Sequence, residues 1–131
     1  MKKKFILIII FSLSIISSSY GAASGGNDSG SSNYDKGASL IERAKKLEEK
    51  GKDKKAKKRY EKALKYLSKA NEKNPNDADT LNYLGFALRK LGNFEEAEKY
   101  YLEGLAIKPD HIGINEYLGE LYIITKQNRA C

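Results

Sequence analysis

The chain has 131 residues, a formal net charge of +7, one cysteine, one histidine and no tryptophan, which leaves room for one ordinary domain. A lone cysteine excludes an internal disulfide framework, one cysteine plus one histidine falls short of a four-ligand zinc site, and a Ser-His-Asp or Cys-His centre would need the only imidazole. With 31% charged residues, 40% apolar residues and two prolines, the chain is neither disordered throughout nor a multi-span membrane protein.

The first predicted element is an address. Met1-Lys2-Lys3-Lys4 precedes an uncharged stretch, Phe5 to Ile16, broken only by Ser12 and Ser14. It is shorter than the about 20 residues a membrane span requires. Lysines, a short apolar run and then small residues form a secretory signal layout, with Ser19-Tyr20-Gly21 and Gly21-Ala22-Ala23 as cleavage sites. Residues 1–23 are therefore expected to be a signal peptide, and the mature chain periplasmic or secreted. The alternative is an uncleaved anchor at residues 5–16. Residues 24–37 have the glycine- and serine-rich composition of a flexible linker, unable to bury apolar area.

From residue 38 the apolar spacing is helical, with no sustained alternation, and glycine and proline fall between segments. The clearest unit runs from Ala78 to His111. Leu81, Leu84, Gly85 and Leu88 share one helix face. Gly92-Asn93 breaks that helix, glycine supplying a left-handed cap. Ala97, Tyr101, Gly104 and Leu105 form a second face, which Pro109 ends. The small residues Gly85 and Ala97 let the two helix axes approach. Asp77, Asp79 and Asp110 sit at helix starts, where carboxylates cap free N–H groups, and His111 is a turn residue.

The run Leu81-x-x-Leu84-Gly85-x-x-Leu88, Gly92-Asn93-Phe94-x-x-Ala97-x-x-x-Tyr101-x-x-Gly104 and Pro109 resembles the tetratricopeptide repeat, a 34-residue helix-turn-helix unit. Leu81 stands where that family usually has tryptophan, and Gly104 where it has alanine. The pattern restarts 34 residues on: Tyr117-Leu118-Gly119 repeats Tyr83-Leu84-Gly85. Upstream, Leu40, Ala44 and Leu47, then Gly51, Ala56, Tyr60 and Ala63, match a first unit whose Pro75 arrives seven residues late. Residues 38–131 are thus read as a repeat over 38–77 with a lengthened second helix, a repeat over 78–111 and a partial repeat over 112–131. The fold implied is all-α, antiparallel helix-turn-helix repeats stacked as a short right-handed solenoid.

Residues 37–75 carry 14 basic and 6 acidic groups, residues 76–131 carry 6 and 9. The basicity gathers on Lys52, Lys54, Lys55, Lys57, Lys58, Arg59, Lys62, Lys65 and Lys69, threaded with apolar residues at helical spacing. This is a solvated face or a contact for anionic lipid or another polyanion. An export signal argues against nucleic acid.

The resemblance implies a protein-interaction scaffold, not an enzyme, that binds a peptide or a partner helix in a concave groove lined by the first helix of each hairpin. Candidate groove residues are Asn82, Phe86, Arg89 and Lys90 in the middle repeat, and Glu116, Glu120 and Ile123 in the last. Ile41, Lys45 and Glu48 are their counterparts in the first. No cofactor or metal is implied. The competing class is an enzyme using paired carboxylates such as Glu95, Glu96 and Glu98, but these are expected in a helix's first turn, where the dipole accounts for them. Ile112, Ile114, Tyr117, Leu118, Leu121, Tyr122, Ile123 and Ile124 are apolar around much of the last helix, so self-association or partner docking is expected there. Cys131, the last residue, is an exposed thiol or an intermolecular disulfide partner.

Overall fold

The computed structural model describes residues 32–130. It is built from α1 (Asn33–Glu49), α2 (Asp53–Lys73), α3 (Ala78–Lys90), α4 (Phe94–Ile107) and α5 (Ile112–Ala130), with no strand among the described residues. The signal segment, most of the linker and Cys131 lie outside them.

Glycine closes the first helix of each complete hairpin. Gly51 has φ 65° and Gly92 φ 85°, a conformation glycine adopts without steric cost. The amides that follow fold back onto the helix ends: Lys52 N–H donates to the Leu47 carbonyl at 2.8 Å and Asn93 N–H to that of Leu88 at 2.9 Å. Carbonyls that a helix end leaves free are thereby satisfied.

Each hairpin packs around a small residue facing an aromatic ring. A Cβ placed on Gly85 would lie 2.5 Å from the Tyr101 ring, and Tyr101 is fully buried. In the first hairpin the residues at the same positions, Ala44 and Tyr60, are both buried in one core cluster. Gly104 admits the Ile114 side chain of the following helix, so its departure from alanine serves close packing between α4 and α5.

The first hairpin corrects the expected boundary. Its second helix is long, as the late Pro75 implies: α2 has 21 residues against 14 in α4. Its first helix is long too, with 17 residues against 13 in α3, about one further turn. α1 therefore starts inside the stretch read as linker. Ser32 and Asp35 form a capping box: the Ser32 Oγ accepts from Asp35 N–H at 3.1 Å, and Ser32 N–H donates to the Asp35 carboxylate at 3.0 Å. Gly37 is buried, and a Cβ on it would lie 2.5 Å from Leu67. Gly37 and Leu67 thus add one more small-to-large layer beyond Ala44 and Tyr60.

The first helices of the hairpins form an inner layer. The backbones of α1 and α3 approach each other, as do those of α3 and α5, whereas those of α2 and α4 stay apart. Each second helix lies in the cleft before the next unit, α2 against α3 and α4 against α5. Inner helices that meet and outer helices that splay produce a curved stack with a concave side.

Candidate partner-binding face

On a helix, the inward row and the rows beside it differ by one residue, about 100°. That step decides which side chains reach the concave surface. Ile41, Asn82 and Arg89, expected to line the groove, are buried instead. Phe86 is buried as well. Its ring sits 6.0 Å from that of Tyr60 and 4.8 Å from that of Tyr117, joining the two outer repeats through the middle one. Asn82 lies beneath α5, where Gly113 makes room: a Cβ there would be 2.9 Å from the Asn82 amide nitrogen.

The open row lies one position further along. It consists of Glu42 and Lys45 on α1, Tyr83 and Lys90 on α3, and Tyr117 and Glu120 on α5. Lys45, Lys90 and Glu120 were expected there; Glu42, Tyr83 and Tyr117 were not. Tyr34, inside the expected linker, packs against Tyr83 with ring centroids 5.8 Å apart. Tyr34, Tyr83 and Tyr117 are half-buried, and burial pushes the Tyr34 and Tyr83 phenols up from their ordinary value. The signal was present in Tyr83 and Tyr117, repeated at 34 residues. Glu116 and Ile123 remain exposed, but on the side of α5 turned away from the buried Leu118 and Leu121.

The charges of this face are already matched. Lys90 Nζ lies 2.7 Å from Glu48, Arg89 2.8 Å from Glu120 and Lys45 3.3 Å from Glu42. Glu48 also accepts from the Tyr60 hydroxyl at 3.0 Å. The cations of Lys45, Arg89 and Lys90 gather over the Phe86 ring at 5.4, 5.2 and 5.9 Å, drawn by its negative face. Three basic and three acidic groups surround one aromatic core, so the centre of the face is close to neutral.

His111 does more than occupy a turn. It is buried; its Nδ1 accepts from Ile114 N–H at 3.1 Å, capping α5, and its Nε2 lies 2.8 Å from Asp79 on α3. Accepting at Nδ1 assigns the proton of the neutral ring to Nε2. Asp77 caps α3 as expected, accepting from Asp79 N–H at 3.2 Å. Glu98 accepts from the Tyr122 hydroxyl at 2.8 Å. The basic side chains expected on α2, from Lys52 to Lys69, are all exposed, and among the described residues none of them pairs with a carboxylate.

The family profile described as "Tetratricopeptide repeat" matches residues 36–110, more than half of the chain. Among curated proteins, the mouse and human "Protein O-mannosyl-transferase TMTC3" are each 41% identical over 49 residues, 37% of this chain and 5% of theirs. The chain thus spans a small fraction of the length of these relatives. Among solved structures, "First TPR of Spaghetti (RPAP3) bound to HSP90 peptide SRMEEVD" aligns with a TM-score of 0.47 at 19% identity, covering 72% of this chain and 97% of that one.

Proposed function

Since the chain belongs to the tetratricopeptide repeat family, we propose that it is an exported interaction scaffold that seats a peptide or partner helix across the inner face of α1, α3 and α5. The observation that carries this reading is the row of half-buried tyrosines, Tyr34, Tyr83 and Tyr117, contributed by all three inner helices. Tyrosine offers a large, stiff contact area with a polar end, which suits a surface that must be both wet and adhesive. The matched charges around Phe86 shape the specificity. A partner bearing only a carboxylate would have to break an existing ion pair, whereas one with an apolar or aromatic anchor and balanced charges would not. Export rests on the signal layout of residues 1–23, which favours a periplasmic or secreted protein over one anchored by residues 5–16. No enzymatic role is proposed: Glu95 and Glu96 are exposed in the first turn of α4, and Glu98 is engaged by Tyr122.

Affinity capture from cell-envelope extract, with the wild-type chain beside the Tyr83→Ala/Tyr117→Ala variant, tests the reading. A protein held by the first and lost from the second supports it; identical captures contradict it. One observation favours a second reading. The unpaired cations of α2 would suit an anionic membrane surface, and co-sedimentation with anionic vesicles that disappears at high salt would support it. The apolar outer side of α5 extends the partner class to a second copy of the chain.

A further inference from the structure

Among the described residues nothing covers the outer side of α5. All the exposed large apolar side chains among the described residues lie beyond Tyr101: Leu102, Ile107, Ile112, Tyr122 and Ile123, with Ile112 83% and Ile123 60% exposed. Gly119 sits among them. Gly37, Gly85 and Gly104 each give way to a neighbouring side chain, but a Cβ on Gly119 would meet nothing within 4 Å. A glycine inside a helix weakens it, and at Gly119 no neighbour among the described residues compensates.

Ile112, Glu116, Gly119, Ile123 and Lys126 recur at intervals of four, three, four and three residues, so they form one stripe along α5. The stripe lies opposite the buried Ile114, Leu118 and Leu121. Its order is self-complementary. When two such helices lie antiparallel about a two-fold axis near Leu121, Gly119 meets the partner's Ile123 and Glu116 meets the partner's Lys126. Each pairing occurs twice, as an isologous interface requires. Small meets large and acid meets base in the same register. Among the described residues neither Glu116 nor Lys126 has an ion-pair partner within the chain.

We infer that the chain pairs with a second copy of itself through antiparallel α5 helices, with Gly119 receiving the partner's Ile123. The inference rests on the reading that the outer side of α5 takes a second copy, and it is independent of the tyrosine face. A single helix pair makes a small interface, so association is expected only at high concentration.

Sedimentation velocity on protein purified from cells expressing the full sequence, up to roughly 100 µM, is the test. The expected result is a concentration-dependent dimer. Glu116→Lys sets like charges opposite each other twice and should weaken it roughly tenfold; adding Lys126→Glu to the same chain should restore it. Gly119→Leu should leave the monomer folded, since the position is open, and abolish the dimer. In a Cys131→Ser background, a mixture of Gly119→Cys and Ile123→Cys chains should form a mixed disulfide on oxidation. A dimer indifferent to Glu116→Lys and without that disulfide would overturn the register and leave self-association standing. A monomer throughout would overturn both.

Discussion

Gly85 and Gly119 occupy the same position of successive repeats, 34 residues apart, yet alanine at each is expected to shift stability in opposite directions. Exchanging a helix-interior glycine for alanine gains roughly 0.5–1 kcal/mol from backbone entropy alone. At Gly119 nothing among the described residues opposes that gain, because no atom of theirs lies within 4 Å of the new methyl. At Gly85 the new methyl would lie 2.5 Å from Tyr101 Cε1 and 2.7 Å from Cδ1. Tyr101 has no exposed surface and cannot swing aside without moving the core. Overpacking of this kind costs roughly 1–3 kcal/mol. Gly85→Ala should therefore lose up to roughly 2.5 kcal/mol, and Gly119→Ala should gain roughly 0.5–1 kcal/mol. In a domain of this size each kcal/mol moves Tm by about 4–8 °C. Urea denaturation followed by far-UV circular dichroism, at dilutions where the chain is monomeric, measures both. Equal destabilisation by the two variants, or a Gly85→Ala that gains as much stability as Gly119→Ala, would refute the packing argument.

Four further outcomes are expected. Leu67→Ala should cost roughly 2–5 kcal/mol, and Ser32→Ala roughly 0.5–2 kcal/mol through the lost cap; were residues 32–37 merely linker, Ser32→Ala would have no effect on the denaturation midpoint. His111→Ala removes the cap of α5 and the tie to Asp79, and should lower stability by roughly 1–2 kcal/mol, with hydrogen exchange rising first at Ile114. Burial raises the pKa of the Tyr34 phenol to about 12, and burial together with the bond to Glu48 raises that of Tyr60 further. A raised folded-state pKa contributes stability that is intact below the unfolded value near 10 and drains away as pH rises through the folded value. A pH series of melts should thus be level with respect to these tyrosines from about pH 7 to 9 and fall above about pH 10, less steeply in Tyr60→Phe.

The middle hairpin was legible because every signal in it agrees. Gly92 at the turn, Ala97, Tyr101 and Gly104 on one face and Pro109 after it all specify the same 34-residue unit. The start of α1 was not, because its first turn is written in linker residues. Asn33, Tyr34 and Gly37 acquire helical meaning only through Ser32–Asp35 capping, the Tyr83 ring and the close approach of Leu67. Half of the inner face, Glu42, Tyr83 and Tyr117, lies one residue beyond the expected Ile41, Asn82 and Glu116 for a related reason. Periodicity orders the side chains of one helix, but which row is covered depends on the neighbours. Asn82 is covered by α5 and Arg89 is held by Glu120, facts that belong to the packing of repeats. His111 shows the same limit: its partner Asp79 lies 32 residues away.

The central claim is that partners dock on the tyrosine face. Backbone amide NMR shifts of the chain, recorded as a partner captured from envelope extract is added, test it most directly. Perturbations centred on Tyr34, Glu42, Tyr83, Tyr117 and Glu120 are the predicted result. Perturbations confined to the exposed lysines of α2, with those five residues unmoved, would contradict it.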